Sequence, residues 1–298
     1  IFYNVPRLKS LRREKTYCLI QRHLEWVQST TAGYSRERYD NVMKAPVNKI
    51  IPFSAVDGPG NRTAVFLQGC NFDCCYCHNP ETRNLCTGCG ICVTKCPAGA
   101  LTLCEGKVEY DILKCCGCDT CIRSCPNGSS PKIRNMTGKE AFAEVKKQLP
   151  YIRGITVSGG ECTYYPQFLE ELFDCCKEAG LSTLIDSNGS LFDWKEQEAL
   201  LAVTDGVMLD VKAFTKEDHL RVTGCENELV LKNAVALAEK GKLFEVRTVI
   251  VPELFDAKEN VRRTAEYLAP YLAKGAIRYK LIRFRPNGVR EAYAHYKI

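Results

Sequence analysis

The chain has 298 residues, 45% apolar and 26% charged, which allows a substantial buried core in a chain of ordinary polarity. Its net charge of +6 is uneven: residues 1–42 hold eight Lys/Arg against four Asp/Glu and supply +4, leaving +2 for the other 256, so no basic nucleic-acid face is expected. No stretch reaches the roughly 18 apolar residues of a membrane span, and Ile1–Ser10 is polar and basic, without the apolar run of a signal peptide. A cytoplasmic setting is therefore expected, where 19 cysteines read as metal ligands rather than as a disulfide framework.

Residues 1–42 differ in character from the rest of the chain. They contain Arg12-Arg13 and an unpatterned Ser29-Thr30-Thr31, and read as an N-terminal extension without a catalytic role. Leu24 and Trp26 keep a docking segment as the rival reading. From Met43 the sequence turns into a strand-like run, Asn48-Lys49-Ile50-Ile51-Pro52-Phe53. Further strand-like runs are Thr63–Leu67, Ile155–Ser158, Thr183–Asp186, Gly206–Val211, Phe244–Val251 and Arg278–Phe284. Helical spacing lies between the later ones, at Ala141–Leu149, Pro166–Ala179, Trp194–Val203, Glu226–Lys240 and Ala257–Leu272. Thr137-Gly138-Lys139-Glu140 is a capping-box signature. Alternating strands and helices predict an α/β fold on a parallel sheet. Six such strands are too few for an eight-stranded barrel, so an open, partial (β/α)6 barrel is expected, with chemistry at the C-terminal strand ends.

Eleven of the 19 cysteines fall in three patterns between Cys70 and Cys125. The first, Cys70-x3-Cys74-x2-Cys77, directly follows the strand Thr63–Leu67. Three thiolates hold three irons of a cubane and leave the fourth iron free for substrate; a structural zinc site needs a fourth ligand, and none stands at a fixed spacing. The other two are near copies: Cys86-x2-Cys89-x2-Cys92-x3-Cys96-Pro97 and Cys115-x2-Cys118-x2-Cys121-x3-Cys125-Pro126. This is the two-cluster bacterial ferredoxin spacing, in which the fourth cysteine of each run ligates the other cluster. The assignment is Cys86, Cys89, Cys92 and Cys125 to one 4Fe-4S cluster, and Cys115, Cys118, Cys121 and Cys96 to the other. The remaining cysteines read mostly as small buried apolar residues.

The first pattern, with an aromatic residue before its last cysteine, resembles the radical S-adenosylmethionine (radical-SAM) signature. Val56-Asp57-Gly58-Pro59-Gly60-Asn61-Arg62, Gln68-Gly69-Cys70 and His78-Asn79-Pro80 resemble the glycyl-radical-enzyme activating enzymes, and the wording around Ile50–Arg62 is most like the YjjW-type activase. The resemblance spans about Asn48 to Val289 and includes Ser158-Gly159-Gly160-Glu161, Asp186-Ser187-Asn188-Gly189 and Met208-Leu209-Asp210-Val211-Lys212.

It implies an organisation of 1–42 (extension), 43–82 (start of the radical-SAM barrel and cluster loop), 83–132 (an inserted ferredoxin-like domain with two 4Fe-4S clusters) and 133–298 (the rest of the barrel). It implies S-adenosylmethionine and three 4Fe-4S clusters as cofactors. The catalytic cluster would sit on Cys70, Cys74 and Cys77, between Tyr76 and His78 on the adenine side. Gly159 and Gly160 would let backbone approach the ligand, and Glu161 would offer a carboxylate to its ammonium group. Asn188 and Val211 fall in the same motifs; Lys212 and Arg247 are candidate carboxylate or ribose partners, with a surface ion pair as the plain alternative. Asp186 and Asp210 would hold a monovalent cation or bind ribose. The run Phe284–Val289 lacks the histidine that related activases often carry there, so no C-terminal cofactor ligand is expected.

The implied activity is reductive cleavage of S-adenosylmethionine to a 5′-deoxyadenosyl radical, which takes a hydrogen from a glycine Cα of a partner glycyl-radical enzyme under anaerobic conditions. Flavodoxin or ferredoxin is the expected electron donor, and Asp57 the expected contact to the partner's glycine loop. Two other readings are a radical-SAM peptide maturase, whose extra cysteines usually follow the barrel, and an iron–sulfur electron carrier, which leaves the strand-end motifs unexplained.

Overall fold

The computed structural model describes residues 43–296; the expectations for residues 1–42 lie outside them. In chain order the first elements are β1 (Ala45–Ser54), β2 (Arg62–Leu67), α1 (Ile91–Thr94), β3 (Leu101–Cys104), β4 (Lys107–Tyr110), α2 (Thr120–Arg123), β5 (Arg134–Met136), α3 (Gly138–Lys146) and β6 (Gly154–Gly159). Then come α4 (Pro166–Glu178), β7 (Ser182–Ser187), α5 (Glu198–Val203), β8 (Gly206–Asp210), α6 (Lys216–Thr223), α7 (Glu228–Glu239), β9 (Leu243–Ile250), α8 (Ala257–Leu268) and β10 (Arg278–Arg283).

One sheet has the order β10-β9-β8-β7-β6-β2-β1-β5. The six strands from β2 to β10 are all parallel to their neighbours, while β1 pairs antiparallel with β2 and β5. These six are the strands expected from the sequence, with each end within one residue. A flat sheet would separate β2 from β10 by about 24 Å, five steps of about 4.8 Å. Yet Lys280 Nζ of β10 donates to Val56 O, in the loop before β2, at 3.4 Å. The sheet therefore curls back towards its own first parallel strand, as a partial barrel does.

The core follows from the strand and helix patterns. In β2 every residue but Phe66 is buried, as befits a strand covered on both faces. α4 buries Phe168, Leu169, Leu172, Phe173 and Cys176, one stripe at helical spacing. The capping box is present: Thr137 Oγ1 accepts from Glu140 N at 3.0 Å and Glu140 Oε2 accepts from Thr137 N at 2.8 Å. It starts α3 at Gly138, a turn earlier than the apolar spacing suggests.

Two expected helices are shorter. The run from Trp194 begins as a 3-10 turn, Trp194–Glu196, because Asn233 Oδ1 takes the Trp194 N–H and Asp193 takes that of Lys195. The run from Ala257 leaves α-geometry at Leu268, where Pro270 removes a backbone donor and a 3-10 segment follows. The short β5, the β3–β4 hairpin and α6 were not expected. Among the described residues no helix is long and apolar enough to cross a membrane.

Candidate active site

The loop after β2 carries the first cysteine pattern, and backbone hydrogen bonds fix it from two sides. Gly69 N donates to Thr82 O and Cys70 N to Arg83 O, both at 2.8 Å. Asp73 N donates to Thr223 O and Cys75 N to Val222 O, at 2.8 and 2.9 Å, so the last carbonyls of α6 hold the loop. Cys70 and Cys77 are half-buried and Cys74 is buried. Burial pushes the Cys74 thiol up to about 12, against the pull of the nearby Lys212 ammonium. Cys70 and Cys77 are also raised, first by burial. Such thiols lose their protons when a metal supplies compensating charge, because coordination deprotonates a thiol outright.

The neighbouring strand ends carry a charged array. Asp186 Oδ2 accepts from Ser158 Oγ at 3.0 Å and from Arg247 Nη1 at 2.9 Å. Arg247 Nε also reaches Glu245 Oε1 at 2.6 Å. Burial raises the Asp186 carboxyl to about 6 despite Arg247. Lys212 Nζ lies 2.6 Å from Asp210 Oδ2 and 6.0 Å from the Tyr76 ring centre. Asp186 Oδ1 and the Tyr76 hydroxyl are both buried without a hydrogen-bond partner. Buried polar atoms are ordinarily paired, so these two orphans beside the cysteine loop fit a site that takes a polar ligand or cation.

Three expected ligand groups also make contacts within the protein. Glu161 is 1% exposed. Its Oε1 accepts from Thr163 N, Thr163 Oγ1 and Ser187 Oγ, and its Oε2 from Asn188 N at 2.6 Å. It ties the end of β6 to that of β7. Gly159 has φ 125°, and a Cβ there would lie 2.2 Å from Leu67 O; one on Gly160 would lie 2.2 Å from Gly69 O. The close approach these glycines allow is therefore to β2 and its loop. Val211 N donates to Arg247 O, and Val211 O accepts from Thr248 Oγ1, so both its backbone groups are used. Asn188 does reach the loop: Nδ2 donates to Asn71 Oδ1 at 2.9 Å and lies 3.9 Å from Cys70 Sγ.

The C-terminal segment closes over the same loop. His78 Nε2 donates to Arg285 O at 2.9 Å, and Phe284, fully buried, lies against the His78 ring. Arg290 Nη2 donates to Asp73 O and Cys74 O at 3.3 and 3.1 Å and pairs with the Asp73 carboxylate at 2.6 Å. The segment thus holds the cysteine loop through an arginine and a carbonyl.

The other two cysteine runs surround two hollows of about 300 and 290 Å³, open mouths included. Cys96, Cys115, Cys118 and Cys121 line one; Cys86, Cys89, Cys92 and Cys125 line the other. Cys116 also borders the first. Each fourth cysteine sits with the other run's first three. Backbone N–H groups point at sulfur, from Ala100 to Cys96 at 3.3 Å and from Gly117 to Cys115 and Ser129 to Cys125 at 3.4 Å. Among the described residues no three His, Cys, Asp or Glu side chains are placed to hold a single metal ion.

Residues 64–267 match the Radical SAM superfamily. The chain belongs to the radical SAM superfamily. Within it, the chain is a member of the glycyl-radical-enzyme activating enzymes. It is 31% identical over 249 residues to the choline trimethylamine-lyase activating enzyme of Oleidesulfovibrio alaskensis, covering 76% of this chain and 79% of that one. It is 30% identical over 267 residues to a putative glycyl-radical enzyme activating enzyme of Haemophilus influenzae, covering 83% and 84%. The pyruvate formate-lyase-activating enzyme of Streptococcus mutans is 32% identical over 250 residues, covering 81% and 78%.

In this radical SAM chain several site residues carry no sequence signal. Arg290 stands in no motif, and Asn71 is one of the unspecified positions between Cys70 and Cys74. The α6 helix that holds the loop is short and polar, although Thr215 capping Asp218 N and the left-handed Gly224 were legible end signals. Asp57 lies in the loop before β2, whereas the cysteine loop follows that strand. Its carboxylate accepts from Ser54 Oγ and its carbonyl from Thr156 Oγ1, which are turn-stabilising contacts.

Proposed function

We propose that this chain activates a glycyl-radical enzyme. The observation that carries the reading is the juxtaposition of a three-cysteine loop after β2 with the Asp186–Arg247 and Asp210–Lys212 pairs on β7 to β9. Cys70, Cys74 and Cys77 would hold a 4Fe-4S cluster with one open iron. When bound, that cluster supplies the electron that splits S-adenosylmethionine into methionine and a 5′-deoxyadenosyl radical, which takes a hydrogen from a partner glycine Cα.

The chain's own residues bind and orient. Lys212 and Arg247 bring positive charge to the strand ends, suited to the carboxylate of S-adenosylmethionine. Asp186 and Asp210 supply carboxylate oxygens, one of them unpartnered, suited to a monovalent cation or to ribose hydroxyls. Tyr76 and His78 flank Cys77 and offer aromatic faces to adenine. Asn188 positions the loop through Asn71. Arg290 and the carbonyl of Arg285 keep the loop and His78 in place.

The hollows at 83–132 support two further 4Fe-4S clusters in a ferredoxin-like insert, with the crossed ligation expected from the spacing. Full protein ligation leaves them no iron open to substrate, so an electron relay from flavodoxin or ferredoxin is the role proposed for them. Asp57 is proposed to meet the partner's glycine loop. The YjjW-type subtype rests on the Ile50–Arg62 wording, and a cytoplasmic, anaerobic setting on the chemistry.

The test is anaerobic incubation of reconstituted protein with S-adenosylmethionine, reductant and a glycyl-radical enzyme encoded nearby. Formation of 5′-deoxyadenosine and methionine, together with a glycyl-radical signal on the partner in electron paramagnetic resonance, is the expected result. Cofactor cleavage with no radical on any such partner would overturn the activase reading and favour a peptide substrate.

A further inference from the structure

The two cysteine runs of 83–132 are near copies, and the structure shows where they differ. The residue before α1 is Gly90 and the matching residue before α2 is Asp119, both in the left-handed region at φ 75° and 56°. Glycine adopts that conformation freely, whereas an aspartate there is uncommon. The Asp119 carboxylate has a use: Oδ1 lies 2.5 Å from Lys132 Nζ. The Lys132 side chain is only 17% exposed and lines the hollow of Cys96, Cys115, Cys118 and Cys121.

Tyr110 of β4 borders the same hollow together with Cys115, so its hydroxyl is a donor available to a sulfur there. Two residues earlier on β4, Val108 borders the other hollow. The residues lining that second hollow include neither a cation nor a tyrosine.

The second hollow is instead joined to the catalytic loop. Gln68 Nε2, two residues before Cys70, donates to Asn84 O at 2.7 Å, and Asn84 Nδ2 donates to Asn127 O at 2.7 Å. Asn84 and Asn127 stand two residues from Cys86 and Cys125 respectively.

We propose that the two auxiliary sites are electronically inequivalent: Lys132 and Tyr110 raise the reduction potential of the site at Cys96, Cys115, Cys118 and Cys121, so that it is reduced first. The lower-potential site, at Cys86, Cys89, Cys92 and Cys125, is the one joined to the catalytic loop. This rests on the reading of both runs as cluster ligands. Reduction adds one negative charge, which a nearby ammonium and a hydrogen bond to sulfur both stabilise. The step takes one electron from an external low-potential donor, itself oxidised by one electron, and makes or breaks no bond.

The experiment is a redox titration of the anaerobically reconstituted full chain, followed by electron paramagnetic resonance, with Cys118→Ala assigning the signals. The wild type should show two auxiliary midpoints, the Cys118-dependent one higher. Lys132→Met and Tyr110→Phe should each lower that midpoint and leave the other in place, whereas Lys132→Arg should preserve it. The expected change is about tenfold in the reduction equilibrium, about 59 mV for a one-electron couple. Equal midpoints in the wild type, no shift, or a common shift of both signals would overturn the inference while leaving three clusters standing. Iron near four per chain would instead overturn the cluster reading beneath it. Should the Lys132 variants load iron poorly, Tyr110→Phe and the wild-type midpoints decide.

Discussion

Arg247 on β9 reaches over the intervening strand β8 to place Nη1 2.9 Å from Asp186 Oδ2 on β7. Both side chains are largely buried, at 8% and 15% exposure. Removing one partner of a buried pair costs about 3–5 kcal/mol when the other charge is stranded. The two halves of this pair should not be equal, because Arg247 also holds Glu245. Arg247→Met strands two carboxylates; Asp186→Asn leaves the guanidinium with one. Urea unfolding should show the larger loss for Arg247→Met, and equilibrium binding should show weakened S-adenosylmethionine affinity in both. Equal losses of stability would mean that Glu245 contributes nothing to the array.

Anaerobic reconstitution should yield about twelve irons per chain, three cubanes of four, and a Cys70/Cys74/Cys77 triple alanine should keep about eight while losing cleavage of S-adenosylmethionine. Iron and sulfide analysis with zinc measured alongside checks this. Bound zinc in place of iron would contradict it.

Arg290 holds two carbonyls of the cysteine loop and the Asp73 carboxylate. Arg290→Ala should loosen the loop without removing a ligand. The expected result is severalfold faster loss of iron from the three-cysteine site to a chelator, with the other two sites unaffected. Uniform acceleration at all three sites would indicate general destabilisation.

Asp57→Ala separates partner contact from turn structure. A contact to the glycine loop predicts normal uncoupled cofactor cleavage with glycyl-radical formation reduced at least about tenfold, roughly 1.4 kcal/mol of coupling. Equal loss of both activities would assign Asp57 to the turn it forms with Ser54.

His219 is fully buried on α6, stacked edge-on against Phe72 of the cysteine loop, and burial pushes its pKa down to about 4. Its neutral form favours the folded state above the unfolded value of about 6.5. As pH falls from there towards about 4, the unfolded chain takes up a proton that the folded chain refuses, and stability declines. Between pH 7.5 and 5.5, wild type should lose about 1 kcal/mol more than His219→Gln in denaturant titrations. Parallel pH profiles would exclude His219 as a source of acid sensitivity.

The parallel strands were legible because each is a short apolar run bounded by turn residues, and the site motifs stand at their C-terminal ends. The cysteine runs were legible because ligand spacing is a local property. Other parts were not. Glu161 reads as a carboxylate beside the ligand, and nothing in the sequence shows that Thr163, Ser187 and the Asn188 amide bond to it. Gly159 and Gly160 read as room for a ligand, and nothing in the sequence shows that the backbone of Leu67 and Gly69 lies in the space a Cβ would fill.

The sequence by itself determined the succession of strands and helices, the three-cysteine loop and the paired runs, since each depends on residues a few positions apart. Only the tertiary structure decided which buried charges pair, which expected ligand groups also bond within the protein, and that Arg290 clamps a loop more than two hundred residues before it. Those outcomes depend on the curl of the sheet and on the burial it creates. A carboxylate or an ammonium must find partners in three dimensions once water is excluded, and chain spacing carries no record of which partners those are.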